Sequence, residues 1–222
     1  MHLILFAALL SAAPALQAAS TTEPVPVPAP IEAAVAAYER GELARARSDF
    51  TRLSRYGIPA ADYNLAVMNL RGEVPRASPR EALRLMTRAA EAGFVTAIFG
   101  LGQLHELGQA GLRVDLSQAH GWYLRAAEAG SVDAQVAVAT AFYLGRGAVK
   151  DAPLAARWFR LAAQGGDIGA MYMVASMFEA GDGVERDLRE ARYWYSVAAR
   201  AGDDAAPIKV RELDAKLSAP ST

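Results

Sequence analysis

Three stretches decide the fold: residues 119–130 read AHGWYLRAAEAG, residues 155–166 read AARWFRLAAQGG and residues 191–202 read ARYWYSVAARAG. They lie 36 residues apart, and each carries an aromatic doublet followed by an Ala-Ala pair and a closing Gly. Further out, AAEAGFVTA from Ala89, AAEAGSVDA from Ala126, AAQGGDIGA from Ala162 and AARAGDDAA from Ala198 keep the register, at steps of 37, 36 and 36 residues. Gly57 precedes Gly93 by 36, and Gly130, Gly166 and Gly202 continue that series. An upstream turn shares the period. Gly145-Arg146-Gly147 lies ahead of Asp151 and Gly181-Asp182-Gly183 ahead of Asp187. Gly108 and Gly111 precede Asp115 with one extra residue between the glycines, which accounts for the step of 37. Three signals in one register define an internal repeat, the mark of a stacked array.

Each unit reads as two helices. The first, such as Val132 to Leu144, stops at a glycine turn. The second starts at Asp115, Asp151 or Asp187, whose carboxylates can accept hydrogen bonds from the free N–H groups of the first turn. Ala119, Tyr123 and Ala126 fall at i, i+4 and i+7, as do Ala155, Phe159 and Ala162, so each set shares one helix face directed at the partner helix. Trp122, Trp158 and Trp194 sit beside that seam and are expected to fill the gap to the next unit. Composition agrees. With 49 Ala in 222 residues the chain favours close helix pairs, and the absence of Cys removes disulfides, thiolate nucleophiles and Cys-ligated zinc. A net charge of −1 argues against partners held mainly by phosphates or an anionic membrane, and gives the aromatics no basic setting for stacking on bases.

The pattern Ala-x-x-Trp-Tyr-x-x-Ala-Ala-x-x-Gly, with its upstream Gly-x-Gly-x-x-x-Asp turn, closely resembles the Sel-1-like repeat family, relatives of the tetratricopeptide repeat. The resemblance covers about residues 32–206 as five units, near 32–59, 60–95, 96–132, 133–168 and 169–206. It implies an all-α, right-handed α-solenoid, with residues 207–222 as a C-terminal capping helix and tail and Glu212 to Leu217 inside that helix. The unit from Asp62 departs from the pattern: Leu85-Met86 replaces the aromatic doublet and Ser78 the turn Asp. The first unit departs further, with a short turn from Gly41 to Ala46 and with Gly41, Ala46, Phe50 and Leu53 at tetratricopeptide spacing. Atypical end units are expected where a solenoid meets water.

The chain opens MHLILFAALLSAAPALQAAS, an uncharged apolar run followed by small residues, which is the outline of a secretory signal peptide over residues 1–18. Ala18, with Leu16 two positions earlier, is the preferred cleavage point, and Ala15 after Ala13 is a second. An uncleaved anchor is the alternative, but the run is short against the ~20 residues of a spanning helix. Residues 19–31 alternate Pro with Val or Ala and read as a semi-rigid spacer. The expected location is therefore periplasmic or secreted, with no membrane span after cleavage.

Catalytic signatures are lacking: there is no Gly-x-Ser-x-Gly elbow, His-Glu-x-x-His or phosphate-cradling glycine loop. His105 takes the place of Phe142 and Phe178 and reads as an interior or rim imidazole. His120 matches Ala156 and Arg192, and neither histidine is given a catalytic role. Asp115, Asp151 and Asp187 stand alone in their units, whereas a Ca²⁺ loop gathers several oxygens, so they read as caps. No metal or cofactor is expected. By resemblance, the first helices of the units line a concave groove for partner proteins. Carried over residue by residue, its first row is Tyr63, Phe99, Val136 and Tyr172, its second Gln103, Thr140 and Ser176, and its third Glu106, Tyr143 and Glu179. The first row is either an exposed aromatic ladder or ordinary packing between helices; the acidic third row disfavours an acidic peptide in this groove. The resulting expectation is a non-enzymatic, exported scaffold that binds a protein or peptide and not nucleic acid. The alternatives are a structural spacer without a groove ligand, or a cell-wall-directed hydrolase like some secreted, Cys-rich relatives, although this chain has neither their Cys pairs nor an obvious nucleophile.

Overall fold

A computed structural model describes residues 31–218. The expected signal peptide, nearly all of the spacer and residues 219–222 lie outside the described residues. Within them the chain forms eleven helices and no strand. Two helices open it, α1 (Ile31–Glu39) and α2 (Leu43–Arg55). Four hairpins follow: α3 (Pro59–Leu70) with α4 (Pro79–Glu91), α5 (Val95–Leu107) with α6 (Leu116–Glu128), α7 (Val132–Leu144) with α8 (Ala152–Gln164), and α9 (Ile168–Ala180) with α10 (Leu188–Ala201). A last helix, α11 (Ala206–Ser218), closes the array. Each helix packs chiefly on its neighbours in sequence, the arrangement of an α-solenoid.

The expected caps are in place. Asp115, Asp151 and Asp187 accept backbone N–H bonds from Gln118, Leu154 and Glu190 at 2.9, 2.8 and 3.1 Å. Their own N–H groups donate back to the carbonyls of His105, Phe142 and Phe178, which closes each intra-unit loop. The departure at Ser78 keeps both bonds by other means. Its hydroxyl accepts from Glu81 N–H at 3.3 Å, and its N–H donates to the Asn69 side chain at 3.2 Å, Asn69 standing where later units have His105, Phe142 and Phe178.

In the last two hairpins, stacking on the unit before rests on the second glycine of the turn. Gly147 and Gly183 have φ of 77° and 72°, and a Cβ on either would lie 2.2 Å from the Leu116 carbonyl oxygen or 2.4 Å from the Ala152 backbone. The turn of one unit thus rests on the start of the second helix of the unit before it, at a distance only a bare α-carbon permits. Ala119, Tyr123, Ala126, Ala155, Phe159 and Ala162 are all buried, as the face reading requires. Trp122, Trp158 and Trp194 are half-buried, and Trp158 packs against core on both sides of α7. In the first pair the turn between α1 and α2 is confined to residues 40–42, so Ala46 lies within α2. The last helix starts at Ala206, so Pro207 lies in its first turn, where a missing N–H costs nothing, and not ahead of it.

The candidate partner-binding face

Helical register brings the three rows onto α3, α5, α7 and α9, and all ten residues are half-buried. The first row is not a bare ladder. Phe99 lies 5.2 Å from the Tyr123 ring of α6, Tyr172 lies 5.0 Å from Tyr195 of α10, and Tyr63 lies 5.4 Å from Phe94 ahead of α5. These rings brace each first helix against its surroundings and present only part of their surface outward. Gln103, Thr140 and Ser176 flank them one turn further along, half-buried on the same helices.

The third row pairs with the second member of the doublet. Glu106 accepts the Tyr123 phenol O–H at 2.6 Å, and Glu179 accepts that of Tyr195 at 3.0 Å. Where the acid is replaced by Tyr143, the partner is Phe159, and the two rings meet edge to face at 6.4 Å. Where the position is Leu70, the partner position is Met86, which has no hydroxyl either. An acid therefore appears only opposite a phenol. Burial, and then the hydrogen bond to Glu106, pushes the Tyr123 hydroxyl far above the ordinary phenol range; burial and Glu179 do the same to Tyr195. Tyr123 lies against Gly102, where a Cβ would stand 2.4 Å from its ring. Burial alone would raise the Glu179 carboxyl, but hydrogen bonds from Tyr195, Lys209 and Lys216 together bring it below the ordinary carboxylate value.

Between α5, α6 and α7 a cavity of about 150 Å³ opens onto these rows. Glu106 and Thr140 line it, with His120, Tyr123, Arg146 and the small walls Ala137 and Ala141. In the next unit the wall positions are Met173 and Met177, so the missing volume is written in two alanines. His120, which pattern matching treats as an indifferent position, is part of this wall. Its ring meets Phe142 edge-on at 5.0 Å, its buried Nδ1 has no hydrogen-bond partner, and burial lowers its pKa, which favours the neutral imidazole. His105 is half-buried and gives its carbonyl to Asp115. Among the described residues no group of His, Asp and Glu is arranged to hold a metal ion, and no helix is long and apolar enough to cross a membrane.

Stacked hairpins with a repeated row of half-exposed side chains define the class: an α-solenoid of tetratricopeptide-like units. The chain belongs to the Sel1 repeat family, whose model matches residues 59–94, 95–131, 132–167 and 168–203. Members of that family generally serve as protein-interaction scaffolds. Among solved structures, a protective antigen of uropathogenic Escherichia coli with an SLR fold is 25% identical, with a TM-score of 0.77 over 86% of this chain and 42% of its own. A Sel1 repeat protein from Oxalobacter formigenes is 33% identical, with a TM-score of 0.71 over 77% of this chain and 49% of its own. The chain thus spans less than half the length of either. No curated protein matches it in sequence.

Proposed function

We propose that this protein is an exported, non-catalytic scaffold that holds a partner protein or peptide on the face formed by α3, α5, α7 and α9. The observation that carries the reading is the cavity at Glu106 and Thr140, where two of the recurring rows meet beside unfilled, partly apolar volume. A pocket of that size takes one side chain, and a buried anchor flanked by half-exposed polar groups is the usual form of a binding hot spot. Export rests on the apolar leader and its small residues up to Ala18.

The first-row rings support the fold, so removing them would confuse binding with stability. The informative change adds charge to the second row. Immobilised protein should capture a discrete partner from an envelope extract, and Gln103→Arg with Thr140→Arg should lose it with helicity unchanged. Capture unaffected by that pair of changes removes the face from consideration. Cell fractionation tests export separately, through a product shortened at or near Ala18 in the envelope or the medium.

A further inference from the structure

A second concavity lies on another surface, between α2 and α4, with a volume of about 440 Å³. It coincides with the departure noted at Leu85, one of its lining residues, which stands where later units carry Trp122, Trp158 and Trp194. A leucine leaves open space that an indole would take. Five arginines line the cleft: Arg47 and Arg55 from α2, Arg76 from the turn, and Arg84 and Arg88 from α4. Arg84 is paired with Glu81 and Arg88 with Asp62. Arg47, Arg55 and Arg76 are exposed and have no carboxylate within ion-pair distance among the described residues. Arg76 is moreover held at a φ of 58°, which an L-residue adopts only at a cost. In a chain with 23 cations and 24 anions, this cleft concentrates positive charge.

We infer that the cleft between α2 and α4 binds an acidic peptide segment of a partner protein. Arg47 and Arg55 stand eight residues apart on one helix, a span of about 12 Å. On the facing wall Arg84 and Arg88 are already paired with Glu81 and Asp62, so the charge open to a ligand is that of Arg47, Arg55 and Arg76. Charge strung out over that distance matches about four residues of extended peptide, whose carboxylates meet guanidinium forks two oxygens at a time. A lone phosphate would call for donors converging on one point. A single-stranded nucleic acid would call for stacking rings, and no aromatic side chain lines the cleft. The inference is independent of the face on α3, α5, α7 and α9, where the acidic third row repels the same ligand.

The test uses a fluorescein-labelled octapeptide of alternating Glu and Asp, titrated by anisotropy with the whole chain at low and at high salt. Binding should weaken steeply as salt screens the pairing, and Arg47→Gln with Arg55→Gln and Arg76→Gln should reduce affinity by about tenfold or more. The variant Arg113→Gln with Arg189→Gln and Arg200→Gln loses the same charge elsewhere and should stay within about twofold of the parent, since distant exposed charges are screened. Leu85→Trp keeps every charge, fills the space and should also weaken binding, with circular dichroism reporting its fold. Equal losses in the two arginine triples, full binding by a folded Leu85→Trp protein, or no peptide binding at low salt would each overturn the assignment. So would tighter binding of tripolyphosphate or an oligonucleotide through Arg47, Arg55 and Arg76.

Discussion

At Gly183 the backbone excludes any side chain twice over, through a φ of 72° and through the Ala152 backbone that a Cβ would meet at 2.4 Å. Gly93 has the same handedness, with a φ of 83°, but nothing within 4 Å. Gly93→Ala should therefore cost about 1 kcal/mol from conformation alone, and Gly183→Ala about 2–4 kcal/mol because the units must also part. Urea denaturation of the two variants separates strain from stacking, and equal losses would mean that the turn does not bear on the preceding unit. Tyr123 and Tyr195 carry a second residue-scale consequence. Their phenols ionise far above the ordinary value in the folded chain but near pH 10 once unfolded. A raised folded pKa makes a contribution that is complete below the unfolded value and is lost as pH rises beyond it. Stability should thus fall above about pH 10, and Tyr123→Phe with Tyr195→Phe should flatten that fall in thermal melts followed across the alkaline range.

Helix α11 shows how an end element is held. Leu213 is fully buried, Arg192 of α10 pairs with Asp214, and Lys209 and Lys216 both reach Glu179 of α9 at 3.3 Å. Because the Glu179 carboxyl is held below its ordinary value, its contribution is present above about pH 4.3 and is lost as pH falls through the folded value. Amides of residues 206–218 should accordingly lose protection on acidification before those of α5 to α8, as read by hydrogen exchange corrected for intrinsic rates. Glu179→Gln should remove most of that pH dependence. The α2, α3 and α4 junction has a different lock. Asp62 is 3% exposed, and Arg88 binds both it and the Ser54 hydroxyl. Removing the cation strands a buried carboxylate, so Arg88→Leu should cost about 2–3 kcal/mol, and Asp62→Asn in the same chain should recover part of it. At this scale the sequence was most legible where chemistry repeats. The aspartate caps, the glycine stops and the buried Ala faces all follow from one register. Ser78 reads as a departure because the register shows identity and not function; a hydroxyl there and an amide at Asn69 replace a carboxylate and a carbonyl. The ion pair between Asp62 and Arg88 was invisible, since Asp62 gives way to Ile98, Gln135 and Met171 in later units and only the packing of α3 on α4 brings the two residues together.

At the scale of the whole array, the buried core of the described residues is two bodies that meet on α7, one reaching to Val138 and the other starting at Ala139, with Phe142 and Trp158 touching both. The same helix borders the cavity walled by Ala137 and Ala141. The rows that meet there could be placed from the repeat, because side chains 36 or 37 residues apart must occupy equivalent positions on successive helices. The cover given to Phe99 by Tyr123 and to Tyr172 by Tyr195 could not, since it depends on how far each second helix leans onto the first. The cavity itself was readable as a difference in size, two alanines against Met173 and Met177, but only once the helices were known to face one another. In an array stabilised by neighbour contacts, unfilled volume at a junction between units weakens the coupling across it. Ala137→Met supplies the side chain that the next unit already carries at this position, Ala137 is half-buried, and the lining has room for it. The substitution should raise stability by about 1 kcal/mol and sharpen urea unfolding, because apolar area is gained without opening the backbone. It should also block the anchor site on α5 and α7 and so reduce partner capture. A gain in stability with capture unchanged would keep the weak seam and move the binding surface away from it, whereas a loss of stability would show that the cavity walls are already in contact.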